Sequence, residues 1–474
     1  MKSIRPLPST AYRVTFSTAV CSLDLGDGSE RGEYVDQDTV LQTLGRPHRA
    51  VNLMYCYYPF DKKWPLRASV AYKNRTNFTW GHPYDDYFPF TGGPKGDTRG
   101  PVFRQMRDIR RHGQDVNLTL TMDCAVPDAH IRVIARQLKP FGRMRIRLNH
   151  ECDGTWFAFN RNYSHKEVGE FFVRFAKVLK QEAPAISLVS CWGHKENSES
   201  PELRHEKELA PLLGAAEVWS TDKYITLDWS WPYKACEPGG KDRTYFVGSV
   251  EKVWKQTASI HRRFIELSGQ DKGIEIGEFN ADGNIGGEEA QLKMVGDFYR
   301  KILKEKPSYL KGVTFYQFRD RGRLGLERED PNNPQNGLPT PLIPFYREML
   351  RNPYFQPKET WSRAKGLSME WRASDDSDGL GWKIALKKKP VFLELQFEKK
   401  ANLMVRAGTR WFYKKPGVEW VDVTASAVEW GTRKPFPVVV LAPPADGTNP
   451  GGASAVRTKF SMPPKIRLLT DWKN

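Results

Sequence analysis

The sequence predicts a (β/α)8 barrel of the TIM type followed by a small all-β, sandwich-like domain. Three observations carry this expectation. Short apolar runs alternate with 3.6-period helical patterns from about residue 10 to 350. No Gly-rich phosphate loop follows the first run, as an open doubly wound sheet would usually require. Beyond about residue 356 the helical patterns give way to short strands separated by Gly, Pro and Asn. Residues 1–355 are therefore read as the barrel, and residues 356–474 as a β-sandwich accessory domain with carbohydrate binding as a candidate role.

The barrel strands are expected at residues 12–17, 50–55, 116–122, 144–149, 186–190, 218–221, 273–277 and 312–318, each bounded by polar or turn residues. Four helices between them carry clear signals. Residues 102–111 stop at Gly113. Ser164 with Glu167 three residues on is a capping box, followed by an apolar stripe of Val168, Phe171, Phe172, Phe175, Val178 and Leu179. Residues 253–267 stop at Gly269, and residues 288–305 carry Leu292, Val295, Phe298, Tyr299, Ile302 and Leu303 on one face. In the C-terminal region, strands are expected at 391–397, 401–406, 411–413, 438–441 and 465–469, without a helix.

The chain has 474 residues, 39% of them hydrophobic and 12% aromatic, enough for a sizeable core. No run of ~18 apolar residues exists, so no membrane span is expected. The opening MKSIRPLPSTAYRVTF lacks the apolar stretch of a secretory signal. None of the six cysteines is spaced CxxC, which argues against a zinc site. Net charge is +17, and residues 356–474 hold 21 Lys and Arg against 12 Asp and Glu. No nucleic-acid-binding motif accompanies this excess, so an anionic polysaccharide is the favoured kind of partner and nucleic acid is not expected. Oligomeric state is left open.

Barrel enzymes hold their chemistry at the C-terminal ends of the strands. Residues 143–151 read Arg-Met-Arg-Ile-Arg-Leu-Asn-His-Glu. Strand alternation turns Met144, Ile146 and Leu148 towards the helices, and Arg145, Arg147, Asn149 and Glu151 towards the barrel axis. His150 falls on the helix-facing parity, which leaves a core histidine and a partner of Glu151 equally open. The seventh strand places Glu278 at its mouth, while Glu275 falls on the other parity. Either that strand is short or Glu275 pairs with a helix cation. Two carboxylic acids facing one another across a barrel mouth can cleave a glycosidic bond by double displacement, one as acid/base and one as nucleophile. That chemistry needs no metal and no organic cofactor.

Residues 147–157, Arg-Leu-Asn-His-Glu-Cys-Asp-Gly-Thr-Trp-Phe, resemble the acid/base motif of glycoside hydrolase family 26, a family of β-mannanases and related enzymes in the retaining barrel clan. His150, Glu151, Gly154, Trp156 and Phe157 match; Cys152 and Asp153 depart from the motif, and so does Asn149. Residues 276–279 are similar to the family's nucleophile motif, with Asn280 in place of a Gly. Residues 218–224 are similar to the strand whose tyrosine contacts the nucleophile. The resemblance covers about residues 100–320. It implies Glu151 as acid/base, Glu278 as nucleophile, Tyr224 as the residue orienting Glu278, and action outside the cytoplasm.

Further substrate-binding or supporting residues are expected from position and type. Arg147, Asn149 and His150 lie beside the acid. Trp192 and His194 follow the fifth strand, Trp229 and Trp231 the sixth, and Tyr316 with Arg319 the eighth. Aromatic faces of this kind stack on sugar rings. The segment 57–99 carries Lys62, Lys63, Arg67, Lys73 and Arg75, which could meet an anionic sugar. Two other readings are a non-catalytic glycan-binding barrel and a polysaccharide lyase using Tyr224 with Arg147 on uronic acids. The cysteines read as structural thiols.

Overall fold

The computed structural model describes residues 3–26, 34–64, 87–155, 157–193, 205–228, 245–320, 323–371, 377–442, 445–448 and 456–470. Eight parallel strands close into a barrel: β1 (Ser22–Gly26), β2 (Ala50–Tyr57), β3 (Asp115–Met122), β4 (Met144–Leu148), β5 (Ile186–Trp192), β6 (Val218–Tyr224), β7 (Ile274–Asn280) and β8 (Leu310–Phe315). Each pairs with its neighbour in sequence, and β8 returns to pair with β1. The chain is a (β/α)8 barrel, with antiparallel sheets outside it.

The helices that cover the barrel follow their sequence signals. Helix His165–Glu182 starts at Ser164, whose hydroxyl accepts from the Glu167 N–H while the Glu167 carboxylate accepts from the Ser164 N–H. Its phenylalanines at 171, 172 and 175 are buried against the barrel. Helix Val250–Ser268 ends on Gly269 at φ 69°, a left-handed position that suits glycine. Among the described residues, no helix is long and apolar enough to cross a membrane.

One expected barrel strand belongs elsewhere. The segment Tyr12–Phe16 pairs antiparallel with Glu359–Arg363 and Asp378–Ile384, and the barrel's first strand is Ser22–Gly26 instead. Ser3–Pro6 likewise pairs with Lys465–Leu469. Residues 3–16, counted with the barrel from the sequence, thus complete the sheets of the C-terminal region. Alternation decided the matter wrongly: both runs are strand-like, and only one register closes the barrel. The C-terminal region consists of two antiparallel sheets sharing an apolar core that includes Leu393, Leu395, Val405 and Val439. Among the described residues it also contains a short helix, Thr424–Trp430, where the sequence predicts none.

The barrel interior is charged at its N-terminal end. Arg49 pairs with Asp24 and with Glu275, and Arg145 bonds Glu275 at 2.8 Å. Burial pushes the Glu275 carboxyl up, but Arg145 and Arg49 hold it down at about 2. Glu275 therefore pairs with cations on barrel strands and their entry, not with a helix cation. The alternation that set Glu275 against Glu278 is broken by a bulge in β7. Ile276 pairs with Thr221 and Glu278 with the next residue, Asp222, so Gly277 is the extra residue. Both glutamates consequently face inward.

A buried histidine ties the barrel to the C-terminal sheets. His112 Nε2 meets Asp38 Oδ1 at 2.9 Å, its Nδ1 lies 2.8 Å from the Asp108 carbonyl, and its ring packs on Tyr413 at 4.2 Å between centroids. Burial lowers the basicity of the ring, but the bonds to Asp108 and Asp38 outweigh it and raise its pKa to about 9. A pKa raised on folding contributes stability fully below pH ~6.5, which is lost as pH rises through about 9. We expect the melting-temperature gap between the wild type and His112→Gln to be wide at pH 6 and to close by pH 10. A gap that stayed constant would show that the ring is not protonated.

Candidate active site

β4, β6 and β7 bring the site together at the C-terminal mouth of the barrel. β4 ends at Leu148, and the chain then turns through Asn149 and Glu151, with φ at 49° and 48°. That turn removes the parity argument for His150 and points its ring at the acids. His150 Nε2 lies 3.4 Å from Glu278 Oε1, 3.4 Å from Asp222 Oδ2 and 4.0 Å from Glu151 Oε2. Both glutamates therefore reach one imidazole nitrogen, which keeps their nearer oxygens within about 7.4 Å of each other.

Glu278 is 6% exposed and held on both oxygens. The Tyr224 hydroxyl donates to Oε2 at 2.8 Å, and Arg147 Nη1 lies 3.4 Å from Oε1. Arg147 is 1% exposed, and its Nη2 donates to the Gly277 carbonyl at 2.9 Å. Burial opposes its charge, yet the surrounding acids Asp222 and Glu278 more than offset that and keep it cationic. Its Nη1 also faces His150 Nδ1 at 3.5 Å, which makes Nδ1 the acceptor and leaves Nε2–H to face the carboxylates. Burial, with Arg147 alongside, lowers the His150 pKa well below the usual value, so the ring stays neutral.

Asp222, not expected from the sequence, is a further member of the site. It shares the inward parity of Tyr224 and Ser220 on β6, which was the available signal. Burial raises the Asp222 carboxyl, against the pull of Arg147. The Cys191 thiol, its own pKa raised by burial and by Asp222, donates to Asp222 Oδ2 at 3.2 Å. Asp153 was also missed; its Oδ1 accepts from the Gly193 N–H at 2.7 Å and fixes the end of β5. A methyl group on Gly193 would come within 2.9 Å of Glu151 Oε1, so Glu151 rests against that end.

Several expected residues play other parts. Asn149 serves the scaffold: its Oδ1 accepts from the Met122 N–H at 2.7 Å, tying the ends of β3 and β4. Trp192 is buried and packs edge-on against Phe264 of an outer helix, so it is core. Arg319 is buried and committed to Glu327 at 2.7 Å and to the Gln335 carbonyl. Tyr316 is buried at the mouth, edge-on to the ring of Tyr224 at 6.2 Å. Trp156, His194, Trp229 and Trp231 lie outside the described residues, as do Arg67, Lys73 and Arg75. Cys21, Cys56, Cys124, Cys152 and Cys191 are buried free thiols.

His150, Cys191 and Asp222 could between them offer three ligand atoms to a metal ion. Arg147 already places a buried positive charge beside Asp222: a methyl group on Gly277 would meet Asp222 Oδ1 at 2.7 Å and Arg147 Nη2 at 3.0 Å. A thiol held protonated next to a guanidinium does not fit a cation.

No protein-family model and no curated protein sequence matches the chain. Among solved structures it is similar to a family 26 β-mannanase from Bacteroides ovatus, at 12% identity and a TM-score of 0.42, over 70% of this chain and 89% of that one. It is similar to a family 39 glycoside hydrolase from Bacteroides cellulosilyticus, at 11% identity and a TM-score of 0.43, over 90% and 81%. A family 51 α-L-arabinofuranosidase from Bifidobacterium longum gives 11% identity and a TM-score of 0.40, over 98% of each chain. Likenesses this distant carry no functional argument.

Gly277 is the residue on which the site's geometry turns. Gly277→Ala sets a methyl group against Asp222 and Arg147. We expect turnover to fall by at least ~10-fold and stability by ~1–3 kcal/mol, measured by initial rates and urea unfolding. Full activity in that variant would contradict the described packing.

Proposed function

We propose that the protein is a retaining glycoside hydrolase, with Glu278 as nucleophile and Glu151 as general acid/base. The observation that carries this reading is the anchoring of Glu278. A tyrosine hydroxyl and a buried guanidinium both bond its carboxylate, which favours the ionised, attacking form. Glu151 is more exposed, at 21% of its side chain, and stands across the mouth where a leaving oxygen can be protonated. The upper bound of about 7.4 Å between the two acids admits the ~5–5.5 Å separation of double displacement.

In the first step Glu278 attacks the anomeric carbon while Glu151 gives its proton to the departing glycosidic oxygen. In the second, Glu151 takes a proton from water, and the resulting hydroxide displaces Glu278 from the sugar. Neutral His150 turns its Nε2–H towards the carboxylates, nearest to Glu278 and Asp222. The substrate is a β-linked polysaccharide or oligosaccharide, and the chain's basic excess favours an anionic one. Work outside the cytoplasm fits such a substrate.

The test is reducing-end release from a panel of neutral and anionic polysaccharides. We expect activity in the wild type and none in Glu278→Ala. Glu151→Ala is expected to lose ~10²–10⁴-fold on natural glycans. Wild-type turnover in Glu278→Ala would sink the assignment. Products that gain ultraviolet absorbance would indicate a lyase instead.

A further inference from the structure

A groove lies at the other end of the barrel from the carboxylates. It has a volume of about 440 Å³ and runs between the outer helices and the C-terminal sheets. One wall is formed by helix Gln37–Leu44 with Gly45 and by helix Leu342–Arg351; the other by strand Arg410–Lys414 and residues as far as Asp422. Gly45 leads into the N-terminal end of β2, whereas Glu151 and Glu278 stand at the C-terminal ends of β4 and β7.

The groove's charge is poorly balanced. Arg347 and Arg351 both line it, one turn apart on the same helix face. Like charges in that relation repel and weaken a helix. Among the described residues neither guanidinium has a carboxylate within 4.0 Å. The bond seen for the pair runs from Arg347 Nε to the Thr43 carbonyl. The helix end beside them offsets part of their charge, but it supplies no full negative charge. Across the groove stand Arg410 and Lys415, whose acids, Glu429 and Asp38, are at 2.8 and 3.6 Å. Phe412 and Trp420, both partly buried, line the same wall; the Arg467 guanidinium covers one face of Trp420 at 3.8 Å and leaves the other for a ligand, and the Asp422 carboxylate is the acid at the wall's far end.

We propose that this groove binds an anionic glycan, the Arg347–Arg351 pair gripping carboxylate or sulfate groups and the aromatic wall taking the sugar faces. Guanidinium groups match carboxylate and sulfate oxygens with paired hydrogen bonds. Sugar rings carry apolar faces that stack on indole and phenyl rings. A cleft of 440 Å³ suits a short run of sugar units rather than the long track of a nucleic acid. The site would hold a polymer away from the catalytic mouth. It rests on the glycan reading above for its occupant, but not on catalysis.

The experiment is affinity electrophoresis of Glu278→Ala through gels containing polygalacturonate, a sulfated galactan, a neutral galactomannan or single-stranded poly(dT). Retardation by one or both anionic glycans is expected; the responding gel names the acid group. Arg347→Glu with Arg351→Glu should weaken it at least ~10-fold, as should 0.5 M salt. The same pair in the active enzyme should leave reducing-end release from short oligosaccharides within ~2-fold of wild type. If charge reversal unfolds the protein, Arg347→Gln with Arg351→Gln decides the question in its place. The proposal is overturned if neither anionic glycan retards the protein, if the double variant is retained equally, or if only poly(dT) binds through these arginines. Any of these outcomes leaves the hydrolase test standing on its own result.

Discussion

The site depends on a single irregularity, the bulge at Gly277. A regular strand turns alternate residues to opposite faces, so residues 275 and 278 would lie on opposite sides of β7. The extra residue restores the inward direction for both. It also leaves the backbone bare where Arg147 and Asp222 press against it, since no side chain would fit there. Arg147 takes the Gly277 carbonyl as its acceptor and reaches Glu278 with the same guanidinium.

The interior then reads as two charged layers. Near the N-terminal end, Asp24, Arg49, Glu275 and Arg145 neutralise one another. At the mouth, Arg147 faces Glu278, Asp222 and, through His150, Glu151. Buried ion pairs of the first kind add little net stability, but breaking one leaves an uncompensated charge. That cost pins the strands that carry them in register. Among the described residues the upper layer sets two buried cations, Arg147 and Lys223, against more acids, Glu278, Asp222, Glu151 and Asp153, which is the imbalance expected where carboxylates must differ in protonation.

Much of this was legible in the sequence, for identifiable reasons. Seven of the eight barrel strands, the capping box at Ser164 and the inward row of Arg145 and Arg147 follow from period and cap chemistry. That Glu151, Glu278 and Tyr224 stand at strand ends of one barrel mouth follows from their places in the sequence, and the Tyr224 hydroxyl does reach Glu278. What was not legible depended on pairing between distant segments. Tyr12–Phe16 and Ser22–Gly26 are both plausible strands, and only the partners Gly379 and Gly312 tell them apart. The bulge at Gly277 leaves no mark except a glycine. Trp192 and Arg319 stand at strand ends like subsite residues, yet one faces an outer helix and the other found an acid eight residues away. Asp222 could have been found, since it shares a face with Tyr224.

The claim on which the rest turns is that Glu278 becomes covalently bonded to sugar. Glu151→Ala should form that bond from an activated aryl glycoside yet hydrolyse it slowly, because no base is left to activate water. Mass spectrometry of this variant, incubated with a panel of aryl glycosides and digested, is the direct measurement. The account predicts a glycosyl adduct on the peptide bearing Glu278, absent when Glu278 is also replaced by Ala. Turnover of the aryl glycoside with no adduct, or an adduct on another residue, would contradict it.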